Sequence, residues 1–145
     1  MDQDIQQLFA SRQATIALKK DGALVFSQFG RGIGPALTLF DEQPELLRGA
    51  DVFDTIVGKA AASIFILSGV RSVCGLTMSE SAAALLTRYG IACSYETLTP
   101  QIINRMGTGL CPFEQAVLAV DAPEDCLPVI RETLAKLRAA ASQSH

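Results

Sequence analysis

The sequence predicts an α/β protein, a three-layer α-β-α sandwich in which helices cover both faces of a mixed β-sheet. Two β-rich runs, 14–19 and 23–29, flank Asp21-Gly22, and an Asp-Gly pair between such runs is a strong signal for a β-hairpin. Farther along the chain, strands alternate with helices, which implies parallel strands joined by crossover helices. One helix, 57–68, is apolar on nearly every side and is therefore expected at the centre of the fold.

The first part of the chain predicts short helices on either side of the hairpin. Residues 4–10 carry apolar side chains at helical spacing, so a helix opens the chain. After the hairpin, glycines interrupt the pattern, and two helical pieces, 35–40 and 44–48, each open on a proline, which suits a first helical turn. The segment 50–56 is expected to be either a strand or an irregular lead-in to helix 57–68.

The second part of the chain predicts alternating strands and helices with recognisable ends. Gly69 and Gly90 follow helical patterns, where a glycine readily adopts the left-handed conformation that ends a helix. Ser79 is a suitable N-cap. The expected elements are strand 70–77, helix 79–89, strand 91–98, a polar connection 99–110, and helices 112–120 and 124–140.

The composition indicates one cytoplasmic domain spanning residues 1–145, with its core at about 14–121. Of the 145 residues, 49% are hydrophobic and 19% are charged, so the chain can fill a single interior. A net charge of −3 and the lack of a basic cluster argue against a nucleic-acid polymer as partner. Residues 1–7 do not resemble a secretory signal, and the longest apolar stretch, 60–67, is too short to cross a membrane.

Histidine and cysteine usage limits the chemistry that is expected. The only histidine is the last residue, His145, so histidine-based zinc sites and catalytic triads are not expected. The cysteines are widely spaced and form no C-x-x-C pair. In a reducing compartment, all of them except Cys111 are expected to be small buried apolar residues. The complete set is Cys74, Cys93, Cys111 and Cys126.

Lys59 is the first candidate site residue, because it stands at the very start of the buried helix. The positive end of the helix dipole disfavours a cation there, so the position calls for an anionic partner. The alternative is that the alkyl stem of Lys59 simply carries its charge out to solvent. The sequence leaves both interpretations open.

The segment Gly107-Thr108-Gly109-Leu110-Cys111-Pro112 is the second candidate, a glycine loop that leads into a helix. With Pro112 at the first helical position, Cys111 is the expected N-cap, and thiols at helix N-termini ionise more readily. Glu114 then lies in the first turn, where a carboxylate is also favourable for purely structural reasons. The free amides of the loop could hold an anion, although short glycine loops are common.

The third candidate is Gly30-Arg31-Gly32-Ile33-Gly34, in which alternating glycines and an arginine precede a helix. Backbone amides together with the guanidinium of Arg31 suit a phosphate or a carboxylate. The segment lacks the spacing of the dinucleotide-binding motif G-x-G-x-x-G, so ordinary turn chemistry remains an equal alternative.

Three phrases of the sequence carry a resemblance to a known family: DGALVFSQFGRGI, GKAAA and INRMGTGLCPFEQAVL. They resemble an uncharacterised bacterial family known only as a domain of unknown function, which is assigned the cytidine deaminase-like fold. The order of a hairpin, a buried helix opening at Lys59 and a later helix opening at Cys111 is also similar to that superfamily. The likeness runs over residues 14–121 and implies a cytidine deaminase-like fold for this chain.

The resemblance implies a site without a metal and without a cofactor. In zinc deaminases, H-x-E on one helix supplies a histidine ligand and a proton-shuttling glutamate, and P-C-x-x-C on another supplies two thiolates. Lys59 matches the histidine, Ala61 the glutamate, Cys111 the first cysteine and Glu114 the second. One thiolate and one carboxylate are too few for a closed zinc site, and an ammonium between them would repel a cation.

The lysine at this position suggests a replacement for the charge of the metal. Lys59 would form an ion pair with Glu114 or with a thiolate at Cys111. The alternative is that the pair is a structural salt bridge left in a decayed site, since buried ion pairs often have no role in function.

These observations lead to three hypotheses about function. The first is a domain that binds a nucleotide-like or other phosphate-bearing small ligand through Lys59. Further binding candidates are Arg31, Gly58, Asn104, Arg105, Thr108 and Gly109. The second is a metal-free enzyme that uses Lys59 or Cys111 as base or nucleophile, with Glu114 orienting the thiolate. The third is a scaffold or sensor, and we expect a homo-oligomer because the domains that it resembles offer large dimer surfaces.

Overall fold

The computed structural model of the chain describes residues 1–104 and 106–143. His145, the histidine singled out above, lies outside these ranges. The elements follow one another in the order α1 (Gln3–Ala10), β1 (Ile16–Lys20), β2 (Ala23–Gln28), α2 (Gly34–Glu42), α3 (Pro44–Leu47), β3 (Asp51–Val57), α4 (Lys59–Leu67), β4 (Ser72–Ser79), α5 (Glu80–Arg88), β5 (Ala92–Thr99), α6 (Pro112–Val117) and α7 (Pro123–Gln143).

Five strands form one mixed sheet in the order β2-β1-β3-β4-β5. The predicted hairpin is confirmed: β1 and β2 pair antiparallel, with Ile16 opposite Gln28. Its turn requires positive φ angles, 51° at Asp21 and 81° at Gly22, which aspartate and glycine tolerate better than most residues. The same β1 pairs antiparallel with β3 on its other side.

The other half of the sheet is parallel, as the alternation of strands and helices predicts. β3 pairs with β4, and β4 pairs with β5, in parallel register with Val52 opposite Val73 and Val73 opposite Cys93. Helices α4 and α5 make the two crossovers. The segment 50–56, which the sequence left open, contains the central strand β3, because both of its edges are paired.

Helix α4 is the buried centre of the fold, as predicted from its apolar sequence. Phe65 and Ile64 have no exposed surface, and the helix packs against α5 and α7. The helix begins at Lys59 rather than at residue 57, because Val57 belongs to β3 and pairs with Met78. Gly69 then ends the segment with a φ of 70°.

The face of the sheet that lies away from the buried core contacts the N-terminal segment. Leu18 lies in the buried core, so strand alternation places Lys19 on the other face. There Lys19 Nζ lies 2.8 Å from a carboxylate oxygen of Asp2 and 3.0 Å from one of Asp4 in α1. The fold is therefore a mixed α/β arrangement, with a five-stranded open sheet and helices.

The C-terminal helices differ in length from the sequence prediction. Helix α6 stops at Val117 instead of reaching residue 120, and α7 extends to Gln143 with Pro128 inside it. Both helices pack against α4, and Ile130 of α7 is part of the buried hydrophobic core. Within the described ranges, no helix combines the length and the apolarity that a membrane span requires.

Candidate functional site

The N-terminus of α4 is capped by a side chain from a distant part of the chain. Gly58 precedes the helix in an extended conformation and has no side chain with which to cap it. Glu114 supplies the cap instead. One carboxylate oxygen accepts the Lys59 amide at 2.6 Å, and the other accepts the Ala60 amide at 3.0 Å. A carboxylate suits this place, because the first amides of a helix lack partners and the dipole is positive there.

Gly58 leaves the space that the Glu114 carboxylate needs. A Cβ atom at position 58 would overlap Cδ and Oε1 of Glu114 and would lie 2.7 Å from Oε2. The Glu114 carboxylate can therefore reach the amides of Lys59 and Ala60 only because residue 58 has no side chain. Glu114 itself is 9% exposed, so the contact is almost closed to water.

The side chain of Lys59 does not form the expected ion pair. Within the described residues, its Nζ donates to the carbonyl of Leu118 at 3.5 Å and has no carboxylate within ion-pair distance. The expectation of a pair with Glu114 or Cys111 is therefore wrong. The physical reason is that the Glu114 carboxylate binds the main-chain amides of α4, while Lys59 Nζ lies near the Leu118 carbonyl.

Lys59 instead lines a solvent-open cavity of about 190 Å³, formed with residues of α5 and with Asp121 from the segment between α6 and α7. The residues that line it are Lys59, Ser81, Ala84, Leu85, Arg88 and Asp121, and more of the lining surface is apolar than polar. Ser81, Ala84, Leu85 and Arg88 belong to α5. Ser81, Ala84 and Leu85 precede Arg88 by seven, four and three positions, which places all of them on one face of the helix. Sequence reasoning missed Ser81, Arg88 and Asp121, although the basic residue in the last turn of α5 was a visible signal.

Cys111 lies at the N-cap of α6, as predicted, and carries a half-buried free thiol. Its side chain makes no capping hydrogen bond, and its amide donates to the carbonyl of Ile102 at 2.9 Å. The predicted orientation of this thiol by Glu114 is wrong, because both oxygens of that carboxylate are engaged by the amides of α4.

The loop that precedes α6 uses its polar groups internally. Asn104 Nδ2 donates to Thr108 Oγ1 at 3.2 Å, and the Thr108 amide donates back to Asn104 Oδ1 at 3.1 Å. The Asn104 amide donates to the carbonyl of Gly109, and the Gly107 amide to the carbonyl of Asn104. The expected anion cradle is therefore wrong for the amides of residues 107, 108 and 111, which already have partners. The candidate Arg105 lies outside the described residues.

The glycine loop that carries Arg31 is held at its start by Thr15. Thr15 Oγ1 donates to the Gly30 carbonyl at 2.9 Å and accepts from the Gly30 amide at 3.0 Å. A Cβ at Gly30 would lie 2.5 Å from the ring of Pro35, so glycine is required there for a close approach. Arg31 is exposed, and it is not among the residues that line the cavity beside Lys59.

The donor set around the α4 N-terminus does not fit a zinc ion. Within residues 1–104 and 106–143, no three histidine, cysteine, aspartate or glutamate side chains lie close enough together to hold a metal. The carboxylate of Glu114, one of the two groups that match thiolate ligands in the resemblance, is occupied by two amides. A zinc-activated water therefore has no place in the chemistry that we derive for this site.

Asp54 is a further titratable group, on the strand that leads to Gly58. It lies opposite Ile16 on one side and Gly75 on the other. The residue is half-buried within the sheet. Burial raises the pKa of this carboxyl to about 8, against the opposing effect of the Thr55 and Ile56 amides. Sequence reasoning did not identify it.

Comparison with known proteins decides the family. The model of the family described as TM1506, domain of unknown function DUF1893, matches residues 4–134. The chain belongs to the DUF1893 family. The predicted resemblance to an uncharacterised domain family is thereby confirmed.

A solved structure supports the assignment to DUF1893. This chain is similar to a DUF1893 family protein from Thermotoga maritima, whose crystal structure has a TM-score of 0.77 and 28% sequence identity. The match covers 94% of this chain and 92% of that one. No curated protein matches this DUF1893 chain.

Proposed function

We infer that this DUF1893 domain binds a small phosphate-bearing ligand, of the nucleotide type or simpler, in the metal-free cavity beside Lys59. The observation that carries the proposal is that Glu114 caps α4 through its main-chain amides and does not pair with the Lys59 side chain. Among the described residues the Lys59 side chain therefore has no acidic partner, and it lines the cavity together with Arg88.

The charge balance of the cavity favours an anion. Two cationic side chains, Lys59 and Arg88, line it against a single carboxylate, Asp121. Within the described part of the chain, neither cation forms an ion pair, and the guanidinium of Arg88 lies over the ring of Tyr89 at 5.6 Å. Lysine and arginine are the side chains that most often bind phosphate oxygens, and Ser81 offers a further donor.

The cytidine deaminase-like, three-layer fold is part of this proposal. Its support is the strand order, with an antiparallel hairpin at one edge and parallel strands at the other. The close approach of α4 and α6, through Glu114, agrees with the arrangement that the resemblance implies. Self-association and a cytoplasmic location remain predictions.

Calorimetric titration with inorganic phosphate and with a nucleoside monophosphate tests the proposal. We expect binding by the wild-type chain and a loss of affinity on the order of tenfold in Lys59→Met and in Arg88→Gln, since each removes a charge-assisted hydrogen bond. The Lys59→Met substitution leaves the main-chain amide that Glu114 binds in place. Lys136→Met, which removes an exposed cation on α7, is the matched control and should bind as the wild type does.

Two results would contradict the proposal. One is the absence of binding by any phosphate compound at millimolar concentration. The other is equal affinity in wild type and Lys59→Met. Native mass spectrometry of the purified protein adds an independent readout, because it reports a copurified ligand, a covalent adduct and the oligomeric state together.

A further inference from the structure

We propose that a second copy of this chain pairs with the open edge of β5 in antiparallel register, so that the two sheets join into one across a twofold axis. β5 is the last strand of the sheet, and within the described residues no strand lies on the side away from β4. Such an edge presents unpaired amide and carbonyl groups along its length. The inference does not depend on a ligand beside Lys59.

The two edges of the sheet differ in how well they are protected against such pairing. At the β2 edge, the register with β1 shifts between Leu18 and Lys19, and a bulge of this kind bends an edge strand and hinders further pairing. β5 instead pairs with β4 in one constant register from Ala92 to Thr99. Its sequence contains neither lysine nor proline, which protect many natural edge strands. The β5 edge is therefore the one that suits a partner strand.

Contacts on the two sides of β5 show which way its side chains point. Cys93 Sγ lies 3.9 Å from a carbonyl oxygen of α5, so Cys93 and, by strand alternation, Tyr95 face the helix layer. Glu96 faces the other side, where its carboxylate accepts a hydrogen bond from Gln6 of α1 at 3.4 Å. Ser94 shares the face of Glu96 by the same alternation.

The length of the strand limits where the twofold axis can lie. An axis perpendicular to the sheet keeps each face on the same side in both copies, so it must pass through a residue position. Within Ala92–Thr99, an axis at Tyr95 pairs the seven residues 92–98, and an axis at Glu96 pairs the seven residues 93–99. An axis at any other position pairs fewer residues of the strand.

The charge of Glu96 then selects between these two registers. An axis at Glu96 would set two carboxylates directly opposite each other, which is destabilising. An axis at Tyr95 pairs the two tyrosine rings and sets Ser94 opposite Glu96 of the second copy. There the serine hydroxyl can donate to the carboxylate, once on each side of the axis. The strand is therefore complementary to itself in the register centred on Tyr95.

Seven paired residues supply much of what a specific interface needs. An antiparallel ladder averages about one main-chain hydrogen bond for each residue pair, so this pairing provides roughly seven, against about ten in a typical interface. Tyr95 and Leu98 are 44% and 41% exposed and add apolar surface at the same edge. In a closed dimer each β5 covers the other, so the unprotected edge is no longer free.

Sedimentation velocity on the full chain tests the inference at protein concentrations on the order of 100 μM, where a dimer with a micromolar dissociation constant is largely formed. We expect the wild type to sediment as a dimer. Tyr95→Lys places two ammonium groups opposite each other at the axis and should raise the dissociation constant at least about tenfold. Val25→Lys, at a 40% exposed position on the β2 edge, is the matched control and should remain dimeric.

A cysteine at the axis tests the register itself. Residues directly opposite each other in an antiparallel pair have Cα atoms about 4.5–5.5 Å apart, within the range of a disulfide. Tyr95→Cys should therefore form a disulfide-linked dimer under mild oxidation, and Val25→Cys should stay unlinked. Peptide mass spectrometry distinguishes a link between the two residues at position 95 from one through the native Cys93, which is a free cysteine.

Hydrogen exchange on the wild type keeps the test independent of the folding of any variant. Main-chain amides of β5 should exchange more slowly as the protein concentration rises, and those of β2 should not change. A wild type that stays monomeric overturns the inference. A dimer that Tyr95→Lys does not weaken, or one without protection of β5, also overturns it, because the contact then uses another surface. A dimer that Tyr95→Lys weakens but Tyr95→Cys does not link overturns the register.

Discussion

The carboxylate of Glu114 occupies the space in front of Gly58 and holds the first two amides of α4, at 2.6 and 3.0 Å. The two residues depend on each other, since a side chain at position 58 would overlap the carboxylate. This contact joins α6 to the buried helix α4. Among the residues that the structure describes, the Lys59 side chain then has no acidic partner within ion-pair distance.

Gly58→Ala should destabilise the protein by forcing a methyl group into the Glu114 carboxylate. We expect a loss of about 1–3 kcal/mol in the free energy of unfolding, the usual range for overpacking. Urea denaturation measures it. Gly109→Ala is the matched control, because a Cβ there meets no atom within 4 Å. The cost of Gly58→Ala should shrink in a Glu114→Ala background, and an undiminished cost would show that the overlap is not its cause.

Glu114→Ala should leave the amides of Lys59 and Ala60 without an acceptor in a largely buried place. We expect the free energy of unfolding to fall by about 1–3 kcal/mol in Glu114→Ala. Glu114→Gln should have a stability between those of the wild type and Glu114→Ala, because glutamine keeps one acceptor oxygen. Denaturant midpoints of the two variants give the comparison. Gln115→Ala, at the exposed neighbouring position, should differ little from wild type. Equal stability of Glu114→Ala and Gln115→Ala would refute the capping role.

Asp54→Asn should stabilise the protein at neutral pH. Because burial raises the pKa of Asp54 to about 8, the folded state holds a proton that the unfolded chain releases near pH 4. Stability from this group is full below about pH 4 and is lost as pH rises to about 8. Asparagine removes this dependence, so the advantage of the variant in urea denaturation should be small at pH 4 and should grow towards pH 8.

Asp51→Asn is the comparison for this pH dependence and should act in the opposite direction. The hydrogen bonds from Arg71 lower the pKa of Asp51, so its stabilising effect is present at neutral pH and is lost as pH falls below the usual carboxyl range. Asp51→Asn should therefore destabilise at pH 7 and have less effect in acid. Parallel pH profiles for the two variants would contradict at least one of the two assignments.

Ser79→Ala should weaken the start of α5. The Ser79 hydroxyl accepts the Ala82 amide at 3.1 Å, and loss of such a cap typically costs about 1 kcal/mol. Thermal or urea unfolding measures the change. Ser94→Ala, an exposed serine on β5, should be nearly neutral, and a similar loss in both variants would argue against a specific cap.

Local signals in the sequence predict most of the elements correctly. The hairpin at Asp21-Gly22 and the N-cap at Ser79 are confirmed because each depends on residues within a few positions of one another. The end of β3 was less predictable. Val57 is apolar and fits the helical pattern, but pairing with Met78 keeps it in the strand.

The candidate site was predicted in part. Lys59, Cys111 and Glu114 were selected from the sequence, and the structure brings Glu114 to the start of α4. The predicted partner of Glu114 was wrong. A lysine and a glutamate suggest an ion pair, but the donors that Glu114 binds are the main-chain amides of Lys59 and Ala60, which a sequence pattern does not show.

By itself, the sequence determined the α/β class, the buried helix α4 and the hairpin, because turn residues and apolar periodicity act locally. Only the tertiary structure decided that Glu114 caps a helix 55 residues away and that Lys59 shares a cavity with Arg88 and Asp121. Those contacts join residues from different helices, and their distances depend on how α4, α5 and α6 pack.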